Sequence, residues 1–265
     1  MLMRCGDIEV AWFEAGRGSP LVLVHGLADD HRAWRHVLPP LMLHHRVILY
    51  DFRGHGQTSV GGADGTLEQL AADLDRFLDA LSLDRTALAG FSLGGTVVMR
   101  FAIDHSDRIE KLIPVATSSR VGRAAFEWYV ERERLAEQGF EALIPHLEED
   151  TRQQFATAPQ LAADHILIRR ECVADPRGYI NACRAMARLR EEPLDPDLGR
   201  ITAPTLVVAA ADDELCPPKA AEMIANAVPG SRMEVLNGSG HQLPVQRPAA
   251  LASLILDFLA VRPRA

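Results

Sequence analysis

The residues of this chain best placed to do chemistry are a serine, an aspartate and a histidine, each at the end of an apolar run. Ser92 lies in Gly90-Phe91-Ser92-Leu93-Gly94. The run before it reads as a buried strand, and residues 96–102 read as a helix packed on a sheet. A chain that passes from strand to helix at one residue forces that residue toward positive φ. It can turn so tightly only if the positions two away are small, as Gly90 and Gly94 are. The hydroxyl then stands clear of the sheet at a helix N-terminus, where the dipole and free N–H groups favour developing negative charge. A G-x-S-x-G segment in this strand–turn–helix setting is the nucleophile-elbow pattern.

A serine alcohol needs an adjacent base, usually a histidine oriented by a carboxylate. In an open α/β sheet such partners must come from loops at the C-terminal ends of strands, which converge on one crevice. The apolar run 206–209 ends in Asp212 and Asp213, and the run 233–236 ends in a glycine-flanked loop carrying His241, the only histidine after Asp213. His241 is the expected base. Asp213, four residues before Pro217, is preferred to Asp212 as its carboxylate. The loop after the strand ending at Val115 offers only Ala-Thr-Ser-Ser and so no rival acid. An acyl-transfer oxyanion needs two N–H donors. Leu93, next to the nucleophile, supplies one, and Leu27, after Gly26, is the expected second. His25 is expected to hold that loop rather than move protons.

The elements that must position these groups alternate. Strands are expected at 2–4, 8–14, 21–24, 46–50, 86–91, 111–115, 205–209 and 233–236. Helices are expected near 33–43 (broken by Pro39-Pro40), from a capping-box spacing at Thr66…Gln69, after the elbow, and at 219–227 and 249–260. From about Gly122 to about Arg190 no strand-like run occurs, only amphipathic segments at 124–138, 140–149, 158–174 and 177–190. This pattern predicts an α/β fold: a doubly wound, mostly parallel sheet with an inserted all-helical cap. The expected boundaries are 1–118 and 199–265 for the core and 119–198 for the cap, with the Arg-Pro-Arg-Ala tail frayed.

The 265 residues carry a net charge of −8, which argues against a nucleic-acid partner. Neither a signal-peptide pattern nor a membrane-spanning apolar run is present, so a cytoplasmic protein, monomeric or homodimeric, is expected. The four scattered cysteines suit free thiols. The adjacent His44 and His45 suit a surface loop, and no metal or cofactor is expected.

Taken in order, His25-Gly26-Leu27 with Trp34, Asp51-x-Arg53-Gly54-His55-Gly56-x-x-Ser59, the Ser92 elbow, Asp213-x-x-x-Pro217 and Gly240-His241 resemble the α/β-hydrolase superfamily, in its small members with a helical cap. Residues Asp175-Pro176-x-Gly178-Tyr179 and Ala182-Cys183-Arg184-Ala185-Met186 resemble the last cap helix of 3-oxoadipate enol-lactonases and related carboxylesterases. Ala210 departs from the glycine usual before the acid loop. A serine at the elbow, rather than an aspartate, argues against dehalogenase or epoxide hydrolase activity. The resemblance implies a cofactor-free serine hydrolase of a small-molecule ester or lactone, with Arg53 and His55 as loop scaffold. Trp128, Tyr129, Phe140 and Met186, with Phe155 and Ile166, are the cap residues expected to line its pocket. C–C bond hydrolysis by the same triad, or ligand-binding signalling on the same fold, are the alternatives.

Overall fold

The computed structural model describes residues 1–173 and 175–260. The last residue of the expected helix 158–174 and the expected frayed tail lie outside these.

Eight strands form one sheet: β1 (Leu2–Cys5), β2 (Ile8–Ala15), β3 (Pro20–Val24), β4 (Arg46–Tyr50), β5 (Thr86–Phe91), β6 (Ile109–Val115), β7 (Leu206–Ala210) and β8 (Arg232–Leu236). Their order is β1-β2-β4-β3-β5-β6-β7-β8; β1–β2 and β2–β4 are antiparallel and every other pair is parallel. The central strands are apolar throughout because both faces are covered, and their alternate residues feed two cores. Val22, Val24, Ile48, Tyr50 and Leu88 join one cluster; Leu21, Leu23, Val47, Leu49, Ala87 and Ala89 join the other.

The short helix α1 (Leu38–Leu41) follows a 3-10 turn at His31–Trp34, so the helix expected over 33–43 is two fragments. Pro39 and Pro40 lack the N–H groups a continuous helix would use. Helix α2 (Leu67–Ala80) buries Leu67, Leu70, Leu74, Phe77 and Leu78 on one face. Thr66 caps it by accepting from the Gln69 N–H at 3.1 Å, but the reciprocal half of the expected capping box is absent. The Thr66 N–H donates to Asp64 instead, and the Gln69 amide is spent on Gly62, Asp64 and Asn181.

Helix α3 (Leu93–Asp104) follows β5 directly. Among the described residues, four α-helices then intervene between β6 and β7: α4 (Arg123–Glu137), α5 (Phe140–Gln154), α6 (Ala162–Cys172) and α7 (Pro176–Arg188). Helices α4, α5 and α7 share a core of Leu135, Leu143, Ile144, Leu147, Tyr179 and Cys183, into which Ala28 of the main body also packs. The chain closes with α8 (Pro218–Ala227), a short α9 (Leu243–Gln246) and α10 (Pro248–Ala260).

Pro114 is the next-to-last residue of β6. The N–H groups of Leu112 and Ala116 donate to Pro204 and Val208 across to β7, and the position between them is the proline. The ladder is therefore interrupted, leaving one strand register pair, Val115↔Val208, and an isolated bridge, Leu112↔Thr205. Among the described residues no helix is long and apolar enough to cross a membrane, and Cys5, Cys172, Cys183 and Cys216 are free thiols.

Candidate active site

Ser92 stands between β5 and α3 with φ 52° and ψ −120°, a conformation an L-residue holds only under constraint. Its N–H donates to Val115 at 2.9 Å, and its carbonyl accepts from the Thr96 N–H and the Thr117 hydroxyl. A Cβ on Gly90 would lie 2.2 Å from the Gly94 carbonyl oxygen, and one on Gly94 would lie 2.4 Å from the carbonyl oxygens of Val24 and His25. These contacts are why the elbow needs both glycines.

The loops after β7 and β8 converge on this serine. The Ser92 hydroxyl lies 3.0 Å from His241 Nε2, and His241 Nδ1 donates to Asp213 Oδ2 at 2.8 Å. Asp213 Oδ1 accepts from the N–H groups of Leu215 and Cys216, both at 2.9 Å. Burial opposes ionisation of Asp213, but the His241 imidazole and the two backbone donors overcome it and hold its pKa below the ordinary value. Asp212 is exposed and donates its N–H to Ser239. An alcohol, an imidazole and a carboxylate in sequence can transfer the hydroxyl proton as the oxygen attacks an electrophile.

Leu93 opens α3, so its N–H has no partner within the helix. Leu27 borders the same cavity as Ser92. Gly26 brings it there, since a Cβ at that position would lie 3.3 Å from Ser92 Cβ. His25 donates from Nδ1 to Gly26 O at 2.8 Å and accepts the Phe52 N–H at Nε2, at 2.9 Å, bonds that require the neutral ring. Burial lowers its pKa in agreement.

Arg53 is buried and bonded to Asp7, Asp73, Val60 and Gly62, tying the loop 51–59 to its neighbours. His55 donates to Arg53 O at 3.1 Å, and its Nε2 is buried without a hydrogen bond. Burial, assisted by His25, pushes the His55 pKa down from 6.5 to about 4. Below pH 6.5 the unfolded chain therefore takes up a proton that the native state refuses, so stability falls as pH falls. From pH 7 to 4 this residue alone should remove about 3 kcal/mol. Urea unfolding at a series of pH values checks this: His55→Gln should show a shallower acid slope than the parent.

A cavity of about 280 Å³ opens over Ser92 and His241, walled by Leu27, Trp128, Tyr129, Leu147, Tyr179 and Leu215 among others. Trp128 is steadied by Asp150, which also pairs with Arg132 at 2.6 and 2.7 Å, and the Arg132 guanidinium lies over the indole ring. Of the expected cap residues, Trp128 and Tyr129 face the cavity, whereas Phe140 and Met186 do not line it. Phe140 packs on the cap core, and Met186 is buried in the cluster of the main body. Phe155 is fully buried beside Ala162 and Val245, and Ile166 is also absent from the wall.

Sequence reasoning missed Leu215 and Cys216, although their place between Asp213 and Pro217 was a usable signal. It also missed Asp150, Arg169 and Tyr179; of these only Tyr179 belongs to a motif, Asp175-Pro176-x-Gly178-Tyr179. Asp30, His31 and Asp51 place potential metal-ligand atoms within 4.8 Å of one another, in a separate pocket. There the Asp30 carboxylate is bonded to Arg32, and Asp51 accepts from the His31 N–H and ring. The carboxylates of that cluster are satisfied by donors of the protein itself, Arg32 and His31.

Residues 19–160, more than half of the chain, match the family model described as alpha/beta hydrolase fold, and residues 172–261 match one described as TAP-like protein. The chain belongs to the α/β-hydrolase family. This hydrolase is 30% identical to a proposed carbamate hydrolase, RutD, of Variovorax paradoxus, over 92% of each chain. It is 28% identical to a 2-hydroxy-6-oxo-2,4-heptadienoate hydrolase of Pseudomonas putida, over 98% of this chain and 95% of that one. Among solved structures, the enol-lactonase of Burkholderia xenovorans LB400 superposes on the hydrolase with a TM-score of 0.86 at 26% identity, covering 98% of this chain and all of the other.

Proposed function

We propose that this α/β hydrolase is a serine hydrolase that cleaves a small carboxylic ester or lactone. The observation that carries the reading is the unbroken chain of contacts from Ser92 Oγ to His241 to Asp213, at 3.0 and 2.8 Å, on the floor of a largely apolar cavity. Ser92 Oγ attacks the carbonyl carbon and His241 Nε2 takes its proton. Asp213 holds the ring and stabilises the imidazolium. The N–H groups of Leu27 and Leu93 receive the oxyanion, and as the tetrahedral species collapses His241 protonates the leaving oxygen. Water then attacks the acyl-serine, with His241 again as base, releasing the acid.

The Pseudomonas putida relative makes C–C bond hydrolysis the second reading. The cavity lining favours the ester: its one arginine among the described residues, Arg169, is already neutralised by Asp29, Asp150 is paired with Arg132, and Glu214 adds negative charge. A substrate carrying a carboxylate would meet no unpaired cation there.

The test is a panel of p-nitrophenyl esters, lactones and a ring-fission diketone, with mass spectrometry after fluorophosphonate treatment. Hydrolysis of short esters or lactones with a single adduct on Ser92 is the expected result. Turnover of the diketone alone would replace the ester reading with the second, and an unlabelled Ser92 in a protein inactive on the whole panel would remove both.

A further inference from the structure

Helix α6 of the cap makes polar contacts with the loop that carries Leu27. From α6, Arg169 places Nε 3.2 Å from Asp29 Oδ1, Nη2 3.3 Å from the Leu27 carbonyl oxygen and Nη1 3.0 Å from Thr151 Oγ1. His165 Nε2 stands 2.9 Å from the same Asp29 oxygen. One turn further on, the Cys172 thiol donates to the Asp29 backbone carbonyl. Asp29 and His165 are fully buried, and Arg169 nearly so.

Between Leu27 and Asp29 lies Ala28, with φ 59°, left-handed backbone in a residue that carries a Cβ. The Asp29 N–H closes a tight turn onto Gly26 O at 3.3 Å, which brings Ala28 to that angle. A strained residue keeps such a conformation only when its surroundings over-determine it. Here the surroundings are the bonds from α6 on either side of it, together with the cap core in which the Ala28 methyl is packed. The planar guanidinium can hold a carboxylate, a carbonyl and a hydroxyl at once in fixed directions; a single ammonium cannot.

We propose that Arg169 is a positioning residue for the reaction: from the cap it clamps the Leu27–Ala28–Asp29 turn so that the Leu27 N–H faces the oxyanion. Competence of the oxyanion site is thereby tied to a seated cap. The inference rests on the serine-hydrolase reading, in which the Leu27 N–H is a donor. Arg169 acts through the loop, without touching the reacting atoms.

The experiment compares full-length Arg169→Lys and Arg169→Met with the parent. It measures kcat and KM on p-nitrophenyl butyrate and the inhibition constant of a short alkylboronic acid, whose tetrahedral adduct on Ser92 fills the oxyanion site. Loss of a clamped donor should lower kcat about 10- to 100-fold with KM within twofold. Boronate affinity should fall by the same factor as kcat/KM. Arg169→Lys keeps a cation beside Asp29, so it decides the matter if Arg169→Met does not fold. Wild-type-like kcat and boronate affinity in the folded variants overturn the proposal. So does a rise in KM alone, which would make Arg169 a substrate contact. A parent enzyme inactive on every ester removes the underlying reading and the clamp with it, whereas an active parent with indifferent Arg169 variants removes the clamp alone.

Discussion

Asp213→Asn should lower kcat on a short ester by about 10⁴-fold while leaving KM and the fold close to those of the parent. The size follows from the bonds the carboxylate makes. Its Oδ1 is held by two backbone N–H groups, of Leu215 and Cys216, so an asparagine must place its own oxygen there. The NH₂ group then faces His241 Nδ1, which now has to accept a hydrogen bond. The ring proton moves to Nε2 and points at Ser92, so the base can no longer take the serine proton. Ser92→Ala, which removes the attacking atom, should cost still more, about 10⁶-fold. Steady-state kinetics with circular dichroism of each variant measure both. A loss in Asp213→Asn below about tenfold would mean that His241 is oriented by something else.

The second large effect concerns stability. Gly94→Ala would drive a methyl group to 2.4 Å from two carbonyl oxygens of β3 and its following loop, and to 2.8 Å from the Val24 carbonyl carbon. These are backbone atoms of a central strand, with no rotamer to change, so the helix must lift off the sheet. A loss of at least about 3 kcal/mol is expected, read as a lower urea midpoint. Gly122→Ala is the control: nothing lies within 4 Å of the added carbon, and its stability should stay within about 0.5 kcal/mol of the parent. Equal midpoints for the two variants would show that the elbow yields more easily than its packing implies.

The contrast between these positions shows what was legible in the amino-acid sequence. Ser92, Asp213 and His241 could be read because each ends an apolar run, and parallel strands deliver such ends to one crevice whatever the side-chain details. The cap obeyed no such rule. Amphipathic spacing in 140–149 and 177–190 says that a face is buried but not against what; Phe140 packs on the cap core and Met186 in the main body, and neither lines the cavity. The clamp was invisible for a related reason. Arg169 and Asp29 are 140 positions apart, and nothing in the local pattern of either announces a partner at that distance. At Thr66 the spacing did indicate a cap, but Asp64, two residues upstream, competed successfully for the N–H that the box assigns to Gln69.

The proline in β6 has a bearing on how the molecule ages under stress. Other neighbouring strands are laced by four to six register pairs, whereas β6 and β7 share one and a lone bridge. Ser92 hangs from the sheet on one side of that seam, and Asp213 and His241 hang from it on the other. Thermal breathing that parted the two halves there would widen the gap between hydroxyl and imidazole first, so on the proposed mechanism activity should be lost while nearly all of the secondary structure is still intact.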